Sequence, residues 1–232
     1  IKEKVGYMSQ RFTLYNDLTV AENLAFAASL RKMPAERLAA RTRELFGLVG
    51  FDRSPDTMVS DLPGGYKQEV SLAAAMLHAP EMVFLDEPTS GVAPAARVRF
   101  WNLIRRIAAG GKTVFVTTHY MDEAEQCGRI ALMREGKLIA LDTSAGLKAS
   151  TFREPLFEVE AGPEAPAGWL EALRADPAVD DVRAYGLRQH VGVVDPRGYQ
   201  ALLRKLGAGV RSRPIAPSLE DVFLRLVEGP SK

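Results

Sequence analysis

A chain of 232 residues with 47% hydrophobic content can bury one substantial core and a smaller second one. Lys+Arg 30 against Asp+Glu 29 leaves a net charge of +1, which gives no general electrostatic reason to bind nucleic acid or an anionic surface. Cys127 stands alone, so no internal disulfide forms and a reducing compartment is expected; no stretch approaches the roughly 18 continuous apolar residues of a membrane span.

Val5–Met8 reads as a short buried strand, closed by Ser9 and Gln10. Its position at the very start, with no initiator methionine, raises the expectation that the sequence was cut from something longer. Residues 17–31 carry a helical stripe of Leu18, Val20, Leu24, Phe26 and Leu30. A second helix is expected over 34–48, with Leu38, Leu45 and Leu48 for packing. Asp61-Leu62-Pro63-Gly64-Gly65 then breaks the chain before a helix in which Val70, Ala73, Ala74 and Leu77 recur. An apolar strand follows, Met82-Val83-Phe84-Leu85, ending in Asp86 and Glu87. Pro94 opens the next helix, with Val98, Trp101, Leu103, Ile104 and Ile107, and Gly110-Gly111 stops it. The β-branched run 113–118 ends at His119. A short helix over 121–127 and a strand pair, 130–133 and 138–141, turn at Glu135-Gly136-Lys137. The alternation predicts an α/β layer architecture with an inserted helical lobe.

The chemistry changes over 148–155. Beyond it, strands are expected at 156–160, 181–185, 190–194 and 210–213, with helices at 169–173 and 199–206. This βαββαβ order suits a small two-layer α+β domain. Ser218 is placed to cap a final helix, with Asp221 three residues on as its partner. His190 and Arg211 form no coherent catalytic grouping.

Asp86 and Glu87 are the sharpest chemical signal. They close a buried strand, where open parallel sheets bind ligands, and adjacent side chains point in different directions. Asp86 is therefore suited to hold Mg²⁺ directly or through water, and Glu87 to orient and partly deprotonate an attacking water. The ordinary alternative is a polar strand end before a Pro88 turn. His119 closes a neighbouring strand and can hydrogen-bond a terminal phosphate or that water. Gln10, closing an earlier strand, can sense metal-bound water. Gly64 and Gly65 place exposed N–H groups at a helix start, where phosphate binds readily; a plain helix cap explains them equally well. Gly111-Lys112-Thr113 is not a phosphate loop. The first glycine that G-x-x-x-x-G-K-[ST] requires falls on Arg106, and the stretch runs from helix to strand, the reverse of the needed order.

Taken in sequence order, Gln10, residues 62–68, residues 82–88, residues 90–94 and His119 resemble the Q-loop, signature, Walker B region, D-loop and switch histidine of an ABC transporter nucleotide-binding subunit. The resemblance covers roughly residues 1–145. The segment 217–223 resembles, less specifically, the tail of drug-export and ABC-2-type subunits. Such a likeness implies a partial P-loop NTPase sheet with a helical lobe over about 11–78, a nucleotide-binding domain over 1–147 and an accessory domain over 155–232. It also implies ATP and Mg²⁺ as cofactors, and Glu87 and His119 as catalytic residues. Asp86 and Gln10 would lie at the metal, with Gln10, Gly64, Gly65 and Gln68 binding nucleotide. The implied partners are a transmembrane permease subunit and a second ATP-binding subunit, at the cytoplasmic face of the membrane.

Three departures qualify that likeness. The Walker A loop and its strand are absent, so that autonomous ATP binding is not expected, and the strands at 113–118 and 129–133 are expected to lack the neighbour that joins them. Pro63 stands where the family has serine, and Ala93 where it has aspartate. Two other readings stay open: a nonhydrolytic regulatory or interaction subunit, and a soluble ABC protein of translation or DNA repair. The second is disfavoured by the neutral charge and the lack of an arginine-rich linker.

Overall fold

The computed structural model describes residues 3–10, 13–229 and 231. The Ile1-Lys2 start and the first two positions of the expected helical lobe, 11 and 12, lie outside them. Contacts divide the chain into two compact units, Ile1–His119 and Tyr120–Lys232.

In the first unit, β1 (Val5–Met8), β2 (Met82–Asp86) and β3 (Thr113–Thr117) form a parallel sheet in the order β1-β2-β3. Helices α1 (Val20–Ser29), α2 (Ala35–Val49) and α3 (Gly64–Met76) are inserted between β1 and β2, and α4 (Pro94–Ala109) between β2 and β3. This is the expected α/β arrangement. Thr19 sets where α1 begins: its hydroxyl accepts from Glu22 N–H at 3.2 Å while the Glu22 carboxylate accepts from Thr19 N–H at 2.8 Å. Two orphan donors of the first turn are thereby satisfied, so the helix starts three residues later than position 17.

The apolar stripe assigned to this helix needs correcting. Phe26 and Leu30 are exposed, whereas Asn23 is buried with Val20, Leu24 and Ala28. Asn23 is accepted inside because its amide meets Tyr15 N–H at 2.7 Å and the carbonyls of Tyr15 and Thr19 at 3.0 and 2.9 Å. Similarly, Val98 of α4 faces solvent and Phe100 takes the interior place.

The sheet has one covered and one open face. Helix α3 packs on β1 and α4 on β3, and Gly6, Met8, Val83 and Leu85 lie buried. The other face carries Tyr7, Phe84 and Phe115 in one register row; Tyr7 is 58% and Phe115 49% exposed. Parallel sheets are ordinarily covered on both faces; among the described residues this aromatic row is left open to solvent. On the covered face a Cβ at Gly6 would lie 2.5 Å from the carbonyl oxygen of Ala75 in α3. Gly6→Ala is accordingly expected to cost about 1–3 kcal/mol through forced separation of helix and strand. An unchanged urea midpoint would show that α3 does not sit this closely on β1.

The second unit begins with α5 (Met121–Ala124) and the antiparallel pair β4 (Ile130–Arg134) and β5 (Lys137–Asp142). Helix α6 (Ser144–Thr151) follows, with the Thr143 hydroxyl capping Gly146 N–H at 3.0 Å. It lies where the sequence suggested only a change of composition. Then come β6 (Leu156–Ala161), α7 (Trp169–Ala175), β7 (Val179–Tyr185), β8 (Arg188–Val193), α8 (Pro196–Leu206), β9 (Val210–Ile215) and α9 (Leu219–Glu228). The four strands form an antiparallel sheet in the order β7-β8-β6-β9, the interleaved pattern that βαββαβ produces when each βαβ half leaves room for a strand of the other.

Alternation divides this sheet too. Val159, Val182, Val191 and Val193 join Leu173 of α7 and Tyr199 and Leu202 of α8 in one core. His190, Asp181 and Arg183 are also buried and meet polar groups of α9. The apolar side of α9, Leu219 and Val222, packs with Ile130, Leu132 and Leu147. Helix α9 thus joins the β4–β5 pair to the four-stranded sheet. Among the described residues no helix is long and apolar enough to cross a membrane.

Candidate active site

All three strands of the parallel sheet run the same way, so their carboxyl ends open at one edge. Gln10 follows β1, Asp86 ends β2 with Glu87 next, and His119 follows β3. Residues far apart in the chain are thus brought into contact: Gln10 Nε2 donates to Glu87 Oε2, 77 positions on, at 2.7 Å, and His119 Nδ1 lies 3.1 Å from Glu87 Oε1. The Glu87 side chain is 26% exposed and that of His119 55%, so the carboxylate is sheltered yet open to a small molecule.

Glu87 has φ 43°, a left-handed conformation that costs a non-glycine residue energy. Its N–H donates to the Thr117 carbonyl at 3.0 Å and the Thr117 hydroxyl at 3.1 Å. The turn continues with Ser90 N–H donating to the Glu87 carbonyl at 3.1 Å. This backbone reversal separates the two acidic side chains: Asp86 stays on the open sheet face, while Glu87 swings between Gln10 and His119.

Asp86 is tethered from both sides. Thr117 Oγ1 donates to Oδ1 at 2.5 Å and the Tyr7 hydroxyl to Oδ2 at 3.2 Å. Removal from water, and then the hydrogen bond and charge of Asp86, push the Tyr7 phenol above its ordinary pKa. Tyr7 and Thr117 were not singled out from the sequence. Alternation along β2 puts Phe84 on the face of Asp86, but only the interstrand register adds Tyr7 and Thr117 to it.

Gly64 and Gly65 open α3, whose first turn has no side-chain cap. Pro63 occupies the cap position itself, one residue before the first helical position that prolines favour. Gly64 is exposed, and a Cβ at Gly65 would lie 3.4 Å from Ala96 Cβ. Gln68 is buried, 3% exposed. These three belong to the start of α3 and not to the cluster around Glu87. Ala93 is the cap residue of α4 and likewise offers no side-chain cap, where an aspartate would have supplied one.

Among the described residues no group of three or more His, Cys, Asp or Glu side chains could hold a metal ion unaided. The donor chemistry nevertheless fits Mg²⁺, a hard ion usually bound by one or two carboxylates together with substrate phosphates and water. Asp86, with two of its lone pairs spent on hydroxyls, and the Gln10 amide oxygen are of the donor type such an ion takes.

A family model described as ABC transporter matches residues 1–90. The probable multidrug ABC transporter ATP-binding protein YbhF of Escherichia coli (strain K12) is 44% identical over 153 residues, 65% of this chain; the match spans 26% of YbhF itself. The Nod factor export ATP-binding protein I of Burkholderia orbicola (strain AU 1054) is 34% identical over 226 residues, covering 97% of this chain and 73% of that protein. Among solved structures, cbiO1 from Clostridium perfringens, part of the ABC transporter complex cbiONQ, shares the fold with a TM-score of 0.58. The identity there is 24%, over 64% of this chain and 60% of that one. On the extended 34% match, which runs through both compact units, the chain belongs to the ABC transporter ATP-binding protein family.

Proposed function

We propose that these residues form the catalytic edge of a subunit that hydrolyses Mg²⁺-ATP to drive export of a substrate through a membrane permease. The observation that carries the reading is Glu87, held between Gln10 and His119 at the carboxyl edge of a parallel sheet. Water would attack the γ-phosphorus as the bond to the bridging β–γ oxygen breaks, releasing ADP and phosphate, with the water's proton passing to the Glu87 carboxylate. His119 would hold the γ-phosphate, and Gln10 would fix Glu87 from the opposite side. Asp86 and Gln10 would hold Mg²⁺, which when bound neutralises charge developing on the phosphates. Gly64 and Gly65 would meet nucleotide bound mainly by a second ATP-binding subunit, through the uncapped first turn of α3; Gln68, expected at the nucleotide, is buried and would support that turn from within.

The 232 residues carry no phosphate-loop motif. Functionally, 1–147 is the nucleotide-binding part, with the lobe over 11–78 facing the permease, and 155–232 is the accessory part. The subunit would work at the cytoplasmic face of the membrane, held by its permease. Export is favoured by the multidrug and Nod factor export relatives. The alternative reading is a nonhydrolytic regulatory or interaction subunit.

Phosphate release decides between them. With permease and saturating ATP, the intact subunit is expected to release phosphate only when Mg²⁺ is present, and to lose turnover on chelation. Turnover indifferent to chelation would overturn the metal assignment; no turnover at all would favour the regulatory reading.

A further inference from the structure

We propose that Thr117, assisted by Tyr7, is a positioning residue that locks the two acidic residues to one another; this rests on the roles proposed above for Asp86 and Glu87. Thr117 pairs in register with Asp86. Its hydroxyl has one proton, given to Asp86 Oδ1 at 2.5 Å, and a lone pair that receives Glu87 N–H at 3.1 Å. Its carbonyl takes the same N–H at 3.0 Å. The Thr117 hydroxyl therefore fixes the Asp86 carboxylate and, together with the Thr117 carbonyl, anchors the backbone reversal that directs Glu87 toward Gln10 and His119.

The second Asp86 oxygen is restrained from the opposite strand by the Tyr7 hydroxyl at 3.2 Å. With a donor on each oxygen, rotation about the Asp86 carboxyl is opposed from both sides, and each oxygen keeps acceptor capacity for metal-bound water. Thr117 acts through its neighbours. Removing the hydroxyl frees the Asp86 carboxylate and weakens the hold on Glu87 in its left-handed conformation at φ 43°.

Thr117→Val keeps the shape and removes only the hydroxyl. In the intact subunit we expect kcat to fall roughly 10–100-fold, the scale of a misplaced catalytic group, with KM for ATP little changed. Thr117→Ser is expected to restore activity to within about threefold, and Tyr7→Phe to show a smaller loss than Thr117→Val. Two readouts other than turnover accompany these. Mn²⁺ affinity of the ATP-loaded Glu87→Gln protein, read by electron paramagnetic resonance, should weaken when Thr117→Val is added. Amide exchange at Glu87 should quicken in Thr117→Val without a general loss of protection. If that variant does not fold, Thr117→Ala is expected to give the same kinetic split. Unchanged kcat, Mn²⁺ affinity and Glu87 exchange, with Glu87→Gln inactive, would overturn the role of Thr117 and leave the ATPase reading standing. Full turnover in Glu87→Gln would instead overturn the ATPase reading on which it rests.

Discussion

Glu87→Gln in the intact subunit is expected to lower ATP turnover by roughly 10²–10⁴-fold, the usual contribution of a positioned general base, while ATP still binds. The substitution is close to isosteric. A glutamine oxygen can still accept from Gln10 Nε2, which now donates to Glu87 Oε2 at 2.7 Å, so the turn from Asp86 to Ser90 keeps its shape. What would disappear, on the proposed role, is the carboxylate's capacity to take the attacking water's proton. The amide has negligible basicity, and neither Asp86, fixed by two hydroxyls, nor His119 sits where Glu87 sits. Nucleotide dissociation constants measured beside kcat separate the two effects, since a lost base lowers turnover without weakening ground-state binding. Unchanged turnover at saturating ATP would remove Glu87 from the chemistry.

The parts of this site differ in how far the sequence displays them. Met82–Asp86 and Thr113–Thr117 are legible as strands because apolar and β-branched residues run unbroken to a polar end, although only the first has fully buried positions and the second has none. That Gln10, Glu87 and His119 meet is not a local property. It follows from the sheet order β1-β2-β3, which no periodicity encodes, and only the family's motif order linked them beforehand. Helix α6 is not legible because a single residue, Leu147, is buried in it, so it has almost no stripe to read. Asn23 was passed over for the opposite reason: it looks like a surface residue and becomes an interior one only when the loop at Tyr15 closes on it. His190 shows no grouping in the sequence because its partner lies 31 residues away, in α9.

That pair gives the largest expected effect on stability. Asp221→Ala is expected to destabilise the second unit by about 3–5 kcal/mol, the cost of breaking a buried pair by removing one member. Asp221 is 2% exposed and His190 6%. Oδ1 accepts from His190 Nδ1 at 2.6 Å, and Oδ2 accepts from Ser218 N–H and hydroxyl at 2.8 and 2.7 Å. One carboxylate therefore caps α9 and binds it to β8; alanine would strand the imidazole and uncap the helix together. Burial by itself would raise the Asp221 pKa, but the hydrogen bonds from His190 and Ser218 outweigh it and hold the carboxyl below its ordinary value. The folded pKa thus lies below the unfolded value of about 3.9. The stabilisation is complete above that value and drains away as pH falls through the folded one. Asp221→Asn, which cannot ionise, should lose this part of the acid dependence while being less stable at neutral pH. Hydrogen exchange over 188–193 and 219–228, followed against pH, reads both changes, and equal protection in wild type and Asp221→Ala would show that α9 is held to the sheet by its other ion pairs, chiefly Arg225 to Asp180 at 2.6 Å.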